Sequence, residues 1–144
     1  MSETIILKAA DGHSFPAYVA KPAGKAKGGI VVLQEIFGVN AHIRAVADGY
    51  AAAGYFVVAP ATFSRIGKGD VQLGYTESDM KEGFGYKGAV EALPAPGVMA
   101  DIQAAVDHAA QAGKVGIVGY CWGGLLTWRS AAQVKGLSAA APYY

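Results

Sequence analysis

Residues 115–124 read Val-Gly-Ile-Val-Gly-Tyr-Cys-Trp-Gly-Gly. The β-branched run before the cysteine predicts a buried strand over 114–118, and residues 123–133 predict the helix that follows it. The cysteine therefore lies in a G-x-C-x-G pattern between a strand and a helix, which is the setting of a nucleophile elbow. In an elbow the central residue occupies a strained turn, and flanking glycines avoid collisions with nearby backbone. We expect the side chain of Cys121 to stand above the sheet.

Upstream of this motif, two apolar runs predict neighbouring strands of the same sheet. The first covers residues 30–33 and the second covers 55–59. Between them, Asn40 is a candidate N-cap of a helix that ends at Gly54. A strand, helix, strand unit with a right-handed crossover makes its two strands parallel.

The N-terminal segment predicts a hairpin. Residues 5–9 and 15–20 are strand candidates, and the Asp11-Gly12 pair between them favours a tight reversal. Since Pro16 has no N–H to donate to a ladder, we expect its strand to lie at an edge or to contain a bulge.

The middle of the chain predicts a loop followed by two helices. Residues 61–78 are polar and rich in glycine, which is typical of a long surface loop, and 79–92 are a helix candidate. Apolar residues at helical spacing predict a second helix over 98–109. We expect three polar residues of that helix to face water: Asp101, Asp107 and His108. Residues 137–142 predict a last strand.

Composition places the chain among single globular domains, with 53% hydrophobic and 16% charged residues. Its 12 basic and 11 acidic side chains are scattered, so we expect no nucleic-acid partner. No apolar run is long enough for a membrane span. A single cysteine and the absence of a signal-peptide pattern at residues 1–4 favour a cytoplasmic protein.

The elbow predicts acyl-transfer chemistry at Cys121. The helix beginning beside it supplies unpaired N–H groups whose partial positive charge favours a thiolate. In this architecture the developing oxyanion is held by backbone N–H groups, which here would be those of Trp122 and Ile36. The alternative is that the lone cysteine is a small buried hydrophobe. This chemistry calls for neither a cofactor nor a metal ion.

Three segments resemble the dienelactone hydrolase family. They are Gln-Glu-Ile-Phe-Gly-Val-Asn at 34–40, Gly-Tyr-Cys-Trp-Gly-Gly at 119–124 and Asp-Gly-His-Ser-Phe at 11–15. The resemblance implies an α/β-hydrolase fold, with helices on both faces of a mostly parallel sheet, that acts on small carboxylic esters or lactones. It also implies that Cys121 is the nucleophile and that Glu35 interacts with the thiol. A carboxylate can accept the S–H hydrogen bond, and its charge opposes a second anion beside it. Alternatively, Glu35 is a solvated residue at the end of a strand.

Two further residues are candidates for substrate binding. Tyr86 stands where the family carries a pocket tyrosine, although an ordinary half-buried tyrosine fits the sequence equally well. The family's arginine one helical turn earlier, which pairs with a substrate carboxylate, is replaced by Glu82, with Lys81 next to it. This departure argues against an anionic lactone as substrate, unless Arg65 in the preceding loop supplies the cation.

The segment after Cys121 contains no histidine, aspartate or glutamate. In α/β-hydrolases the acid and then the histidine of the triad follow the nucleophile in chain order. We expect surface roles for the three histidines of the chain: His13, His42 and His108. His42 is the least remote of them, because it is near the loop with Glu35.

Two interpretations therefore remain open for the chain as a whole. It is an incomplete α/β-hydrolase domain over residues 1–144 that needs a C-terminal part with the triad acid and histidine, or it is a non-catalytic interaction module derived from a hydrolase. In either case we expect an uncovered sheet edge and self-association through it.

Overall fold

A computed structural model describes residues 1–144. Its helices and strands, in chain order, are β1 (Ser2–Lys8), β2 (Ser14–Ala20), β3 (Gly29–Leu33), α1 (Ala41–Ala52), β4 (Phe56–Pro60), α2 (Glu77–Glu91), α3 (Val98–Ala109), β5 (Val115–Tyr120), α4 (Trp122–Gln133) and β6 (Leu137–Tyr143). Short 3-10 turns cover Ser64–Ile66 and Ala110–Ala112.

The six strands form one sheet in the order β1-β2-β4-β3-β5-β6. The β1–β2 hairpin is antiparallel, and β2 joins β4 in antiparallel orientation. The four strands β4, β3, β5 and β6 run parallel to one another. The predicted opening hairpin and mostly parallel sheet are therefore confirmed.

Both faces of the sheet carry an apolar layer. Val32 packs with Ile43 of α1 in one cluster, whereas its neighbour Val31 packs with Ile102 of α3 and Leu126 of α4 in the other. Successive strand residues point to opposite faces, so a strand that is apolar at every position is buried on both sides. This explains the continuous apolar runs in the sequence, and it confirms helices on both faces.

The predicted limits of α1 are confirmed by its capping contacts. The side-chain oxygen of Asn40 accepts a hydrogen bond of 3.2 Å from the backbone N–H of Ile43. Beyond the C-cap, Gly54 has a φ of +104°, a conformation that few other residues adopt.

Helix α2 begins two residues earlier than predicted, at Glu77. Thr76 caps it, because the Thr76 side chain accepts from the Asp79 N–H while the Asp79 carboxylate accepts from the Thr76 N–H. This reciprocal pair is a capping box with aspartate in place of glutamate.

At 15 residues α2 is the longest helix, and none of the helices combines the length and apolar character needed to cross a membrane.

The expectation for Pro16 is wrong, because β2 lies between β1 and β4 and pairs with β1 without a bulge. The ladder between β2 and β4 has its last pair at Ala17 and Pro60. Beyond this pair, the N–H of Ala61 donates to the carbonyl of Pro16 at 3.0 Å. The ladder has ended at this position, so no N–H of residue 16 is needed to donate back to β4. The proline is tolerated because its missing donor falls at the end of a ladder.

The expectation that Asp101 faces water is also wrong. Its side chain is fully buried and forms an ion pair with Arg65, whose Nη2 lies 2.9 Å from Asp101 Oδ1. Asp107 is exposed as expected, whereas His108 is half-buried beside Phe56, with 5.7 Å between their ring centroids.

Candidate active site

Cys121 occupies the turn between β5 and α4 in a left-handed backbone conformation, with φ at 58° and ψ at −117°. Tyr120 is the last residue of β5 and Trp122 is the first of α4, so the turn consists of this one residue. This conformation is energetically unfavourable for a residue with a Cβ, and strained residues of this kind concentrate at functional sites. The predicted strand, sharp turn and helix are therefore present at Cys121.

The glycines on either side of Cys121 are required by close backbone contacts. A Cβ on Gly119 would lie 2.0 Å from the carbonyl oxygen of Gly123. A Cβ on Gly123 would lie 2.4 Å from the carbonyl oxygens of both Leu33 and Gln34. The elbow is therefore packed tightly against the end of β3, and larger residues would force it apart.

The register of two parallel strands brings Glu35 to the same end of the sheet as Cys121. Leu33 of β3 pairs directly with Gly119 of β5. Glu35 and Cys121 each come two residues after these paired positions. Carboxyl ends of adjacent parallel strands are where α/β proteins build their sites.

The Glu35 carboxylate is 9% exposed and is bound by two tyrosines. The hydroxyl of Tyr75 donates to Oε1 at 2.9 Å, and the hydroxyl of Tyr144 lies 3.4 Å from Oε2. Cys121 forms no hydrogen bond with this carboxylate in the structure. Tyr144 is nevertheless influenced by both groups. Burial is the main cause that raises the pKa of its phenol, and the charges of Glu35 and Cys121 raise it further.

Gln34 fixes the backbone on which Glu35 sits. Its side-chain amide is buried, with Nε2 donating to the carbonyl of Glu35 at 3.1 Å and Oε1 accepting from the N–H of Thr62 at 3.2 Å. The loop after β3 is thereby tied to the loop after β4.

Two backbone N–H groups, one in the loop after β3 and one at the start of α4, lack the acceptor that a regular helix or strand supplies. The N–H of Ile36 donates to no protein atom. Trp122 is the first residue of α4, so its N–H has no acceptor within the helix. These are the two amides that the sequence singles out as oxyanion donors.

The indole of Trp122 is anchored by a hydrogen bond and by an aromatic contact. Its Nε1 donates to Glu91 Oε1 at 2.8 Å, and the guanidinium of Arg129 binds the same carboxylate. Burial acts to raise the pKa of the Glu91 carboxyl, but these two partners outweigh it and hold that pKa below its usual value. The ring also stacks on Phe63, with 5.4 Å between centroids.

Tyr86 belongs to the same aromatic stack. Its ring meets Phe63 edge-on at 5.5 Å, so Phe63 separates Tyr86 from Trp122. The phenol donates to Glu82 one turn earlier on α2. Tyr86 is therefore connected to Trp122 through the ring of Phe63, and its hydroxyl is already hydrogen-bonded to Glu82.

Arg65 is held by two carboxylates. Its guanidinium donates two hydrogen bonds to Asp11, at 2.6 and 2.8 Å, and two to Asp101, at 3.0 and 2.9 Å. The two carboxylates raise the pKa of Arg65 further above its usual value. The expectation that Arg65 supplies a cation for a substrate carboxylate has no support here. Both donor edges of its guanidinium are already bound, one to Asp11 and the other to Asp101.

None of the three histidines forms a hydrogen bond with Cys121. The Nε2 atom of His13 lies 3.1 Å from Ser64 Oγ near the opening hairpin, and His108 of α3 packs against Phe56 of β4. His42 is exposed at the start of α1, with its ring 6.5 Å from that of Tyr75. It touches the tyrosine that binds Glu35 rather than the thiol.

Comparison with known proteins places these features in a family. The profile of the dienelactone hydrolase family matches residues 15–144. A carboxymethylenebutenolidase from Pseudomonas putida is 35% identical over 137 residues, which cover 92% of this chain and 57% of that protein. A protein from Methylorubrum extorquens assigned as a carboxymethylenebutenolidase is 40% identical over 139 residues, or 90% of this chain and 44% of that protein.

A solved structure supports the same comparison. The crystal structure of a protein from Klebsiella pneumoniae assigned as a dienelactone hydrolase superposes with a TM-score of 0.76 at 32% identity. The match covers 96% of this chain and 57% of the other. The chain thus spans about half the length of the relatives it matches.

Proposed function

The chain belongs to the dienelactone hydrolase family, and on this basis we propose that it carries the nucleophile of a cysteine hydrolase of carboxylic esters or lactones. The observation that carries the proposal is the left-handed turn at Cys121, held between Gly119 and Gly123 at the same end of the sheet as Glu35. A buried structural cysteine needs no such turn.

The proposed reaction begins with attack of Cys121 Sγ on the carbonyl carbon of the substrate. A C–S bond forms, and the carbonyl π electrons move to oxygen. The N–H groups of Ile36 and Trp122 would then hold the oxyanion, since the first has no protein acceptor and the second has none within α4. Collapse of this intermediate breaks the ester C–O bond, and the departing alkoxide takes up the proton that the Cys121 thiol gave up. An alcohol leaves and a thioester remains on Cys121, which water hydrolyses.

Hydrolysis of the thioester requires a general base, and we place it in a C-terminal part with the triad acid and histidine. None of the three histidines of this chain forms a hydrogen bond with Cys121, and no acid or histidine follows it. Acyl transfer to Cys121 is therefore assigned to this chain, and turnover to the chain joined with that further part.

We propose uncharged esters and lactones as the substrate class. Glu82 replaces the arginine that the family resemblance implies for a substrate carboxylate, and its carboxylate accepts the hydroxyl of Tyr86. Arg65 is held by Asp11 and Asp101. Beside Tyr86 stand the Glu82 carboxylate and one cation, Lys68, whose Nζ lies 5.5 Å from the ring centroid, so the site lacks an arginine that could bind a substrate carboxylate through two hydrogen bonds.

The proposal is tested by restoring the remaining part of the fold. A chimaera joins the C-terminal remainder of the Pseudomonas putida relative after Tyr144, and its hydrolysis of p-nitrophenyl acetate is followed. We expect repeated turnover by the chimaera and none by its Cys121→Ala variant, with the same far-UV circular dichroism. A Cys121→Ala chimaera that keeps the full rate would disprove the assignment.

A second candidate function, a non-catalytic interaction module, is favoured by one observation. From Ser138 to Tyr143 every residue of the edge strand β6 is exposed, and Trp128 of the adjacent α4 is 71% exposed. Open strand edges and apolar patches favour association with another chain. We propose that the isolated chain self-associates through this edge.

A further inference from the structure

Tyr75 is held against Glu35 by two hydrogen bonds of its hydroxyl and one contact of its ring. Its hydroxyl donates to Glu35 Oε1 at 2.9 Å and accepts from Asn40 Nδ2 at 3.3 Å. Its ring meets Phe37 edge-on, with 4.6 Å between centroids. The phenol oxygen is therefore fixed even though the residue as a whole is 54% exposed.

The loop that carries Tyr75 is joined to the loop that carries Glu35. The N–H of Leu73 donates to the carbonyl of Phe37 at 2.8 Å, and Gly38 forms an isolated bridge with Gln72. Asn40 Nδ2 also donates to the carbonyl of Leu73 at 3.0 Å. The two loops thus form one unit that ends in the hydrogen bond from Tyr75 to Glu35.

We propose that Tyr75 is a positioning residue that acts through Glu35: its hydroxyl occupies Oε1 of the carboxylate and thereby limits transfer of the Cys121 proton to it. This inference rests on the proposed function only in taking Glu35 as the acceptor of that proton. In the transfer the S–H bond of Cys121 breaks and an O–H bond forms on Glu35. A thiol and a carboxylate become a thiolate and a carboxylic acid, with no change in the charge of the pair.

The physical basis is that a hydrogen bond donated to a carboxylate favours its charged form. Burial raises the pKa of Tyr75, and its bond to Glu35 acts in the same direction, so the phenol keeps its proton at neutral pH and remains a donor. Tyr144 is a second titratable group at Glu35, with its hydroxyl 3.4 Å from Oε2, and the charges of Glu35 and Cys121 both act on that phenol. The His42 ring lies 6.5 Å from the Tyr75 ring. Removing the Tyr75 hydroxyl leaves the carboxylate with one donor fewer, so it takes the thiol proton more readily.

The test uses the reaction of Cys121 with iodoacetamide, which is unambiguous because the chain has a single cysteine. Rates are measured from pH 5 to 10 for the chain and for Tyr75→Phe. We expect the variant to react about tenfold faster near pH 7, and its reactivity to extend to lower pH. Tenfold corresponds to about 1.4 kcal/mol, the low end of what a hydrogen bond to a charged group contributes.

Three controls separate this effect from a general loosening of the site. Tyr18→Phe removes a tyrosine hydroxyl that binds Asp48 at 2.9 Å on α1, and it should leave the rate unchanged. In a Glu35→Gln background, Tyr75→Phe should have no effect, since no carboxylate is present to take the proton. Replacement of Tyr75 by 3-fluorotyrosine, a stronger donor of equal shape, should lower the rate.

An unchanged or lower rate in Tyr75→Phe would overturn the inference, as would an equal rise in the Glu35→Gln background. If Glu35→Gln alters the pH profile and Tyr75→Phe does not, only the role of Tyr75 fails. If Glu35→Gln leaves the profile as it is, Glu35 is not coupled to the thiol, and its part in the proposed function fails as well. Neither result depends on ester hydrolysis.

Discussion

Glu35 and Cys121 each lie two residues beyond a directly paired position of two neighbouring parallel strands. The pairing of Leu33 with Gly119 sets this relationship, and the contact of Gly123 with the carbonyls of Leu33 and Gln34 keeps it tight. A carboxylate and a thiol are therefore brought to one end of the sheet by backbone geometry alone. Side-chain contacts then decide how the two groups influence each other.

The elbow should not tolerate a side chain at residue 123. We expect Gly123→Ala to lose acyl transfer to Cys121 and to lower the free energy of unfolding by about 1–3 kcal/mol, since the new Cβ meets two carbonyl oxygens. Gly88→Ala in α2 is the matched control, because a Cβ there meets nothing within 4 Å. It should stabilise the chain by about 0.5–1 kcal/mol. Urea unfolding measures both, and a neutral Gly123→Ala would contradict the geometry.

Loss of the buried ion pair should strongly destabilise the fold. Arg65→Met leaves the Asp101 carboxylate, whose side chain is 1% exposed, without its partner. We expect a loss of about 3–5 kcal/mol. Glu3→Gln breaks the exposed pair with Lys21 and should have little effect on stability, because solvent screens this pair. Equal effects of the two substitutions in urea unfolding would show that the Arg65 cluster is not a structural clamp.

Acidification through the range of histidine should destabilise the chain through His108. Burial lowers the pKa of this imidazole below 6.5, and Lys21 acts in the same direction. The folded state therefore favours neutral His108, and its contribution to stability is present above pH 6.5 and is lost as the pH falls below that value. The thermal midpoint should fall less between pH 8 and 5 in His108→Gln than in the unchanged chain. Parallel curves would refute this.

Association of the isolated chain should depend on its exposed edge. We expect light scattering to show dimers or larger species, and Ala140→Lys in β6 to reduce them, because a charge on an edge strand opposes pairing. Ala45→Lys places the same charge on the exposed face of α1 and should have no effect. A monodisperse monomer at all concentrations would count against an interaction through β6.

Local sequence signals predicted most of the fold. The apolar runs gave the central strands, Asn40 gave the start of α1, and the glycine pattern around Cys121 gave the elbow. The charge of Asp101 predicts exposure, but its spacing, three residues after Val98 and four before Ala105, places it on the buried face of α3. Its partner Arg65 is 36 residues away along the chain.

The contact between Tyr75 and Glu35 could not be predicted in the same way. The two residues are 40 positions apart, and Tyr75 lies in a loop with no periodic pattern. Their meeting depends on the packing of two loops against each other, which neither helical nor strand spacing encodes. Tyr144 likewise reaches Glu35 only through the parallel pairing of β6 with β5.

We propose that the fold prepares Cys121 for acyl transfer, and stoichiometric acylation of this thiol is the decisive experiment. The chain is mixed with p-nitrophenyl acetate at pH 7, release of nitrophenolate is followed, and the acyl group is located by mass spectrometry of peptides. We predict a rapid release of one equivalent with acetylation of Cys121, much faster than in the chain unfolded in urea, and no release from Cys121→Ala. Acetylation of Cys121 no faster in the folded chain than in the unfolded one would contradict the account.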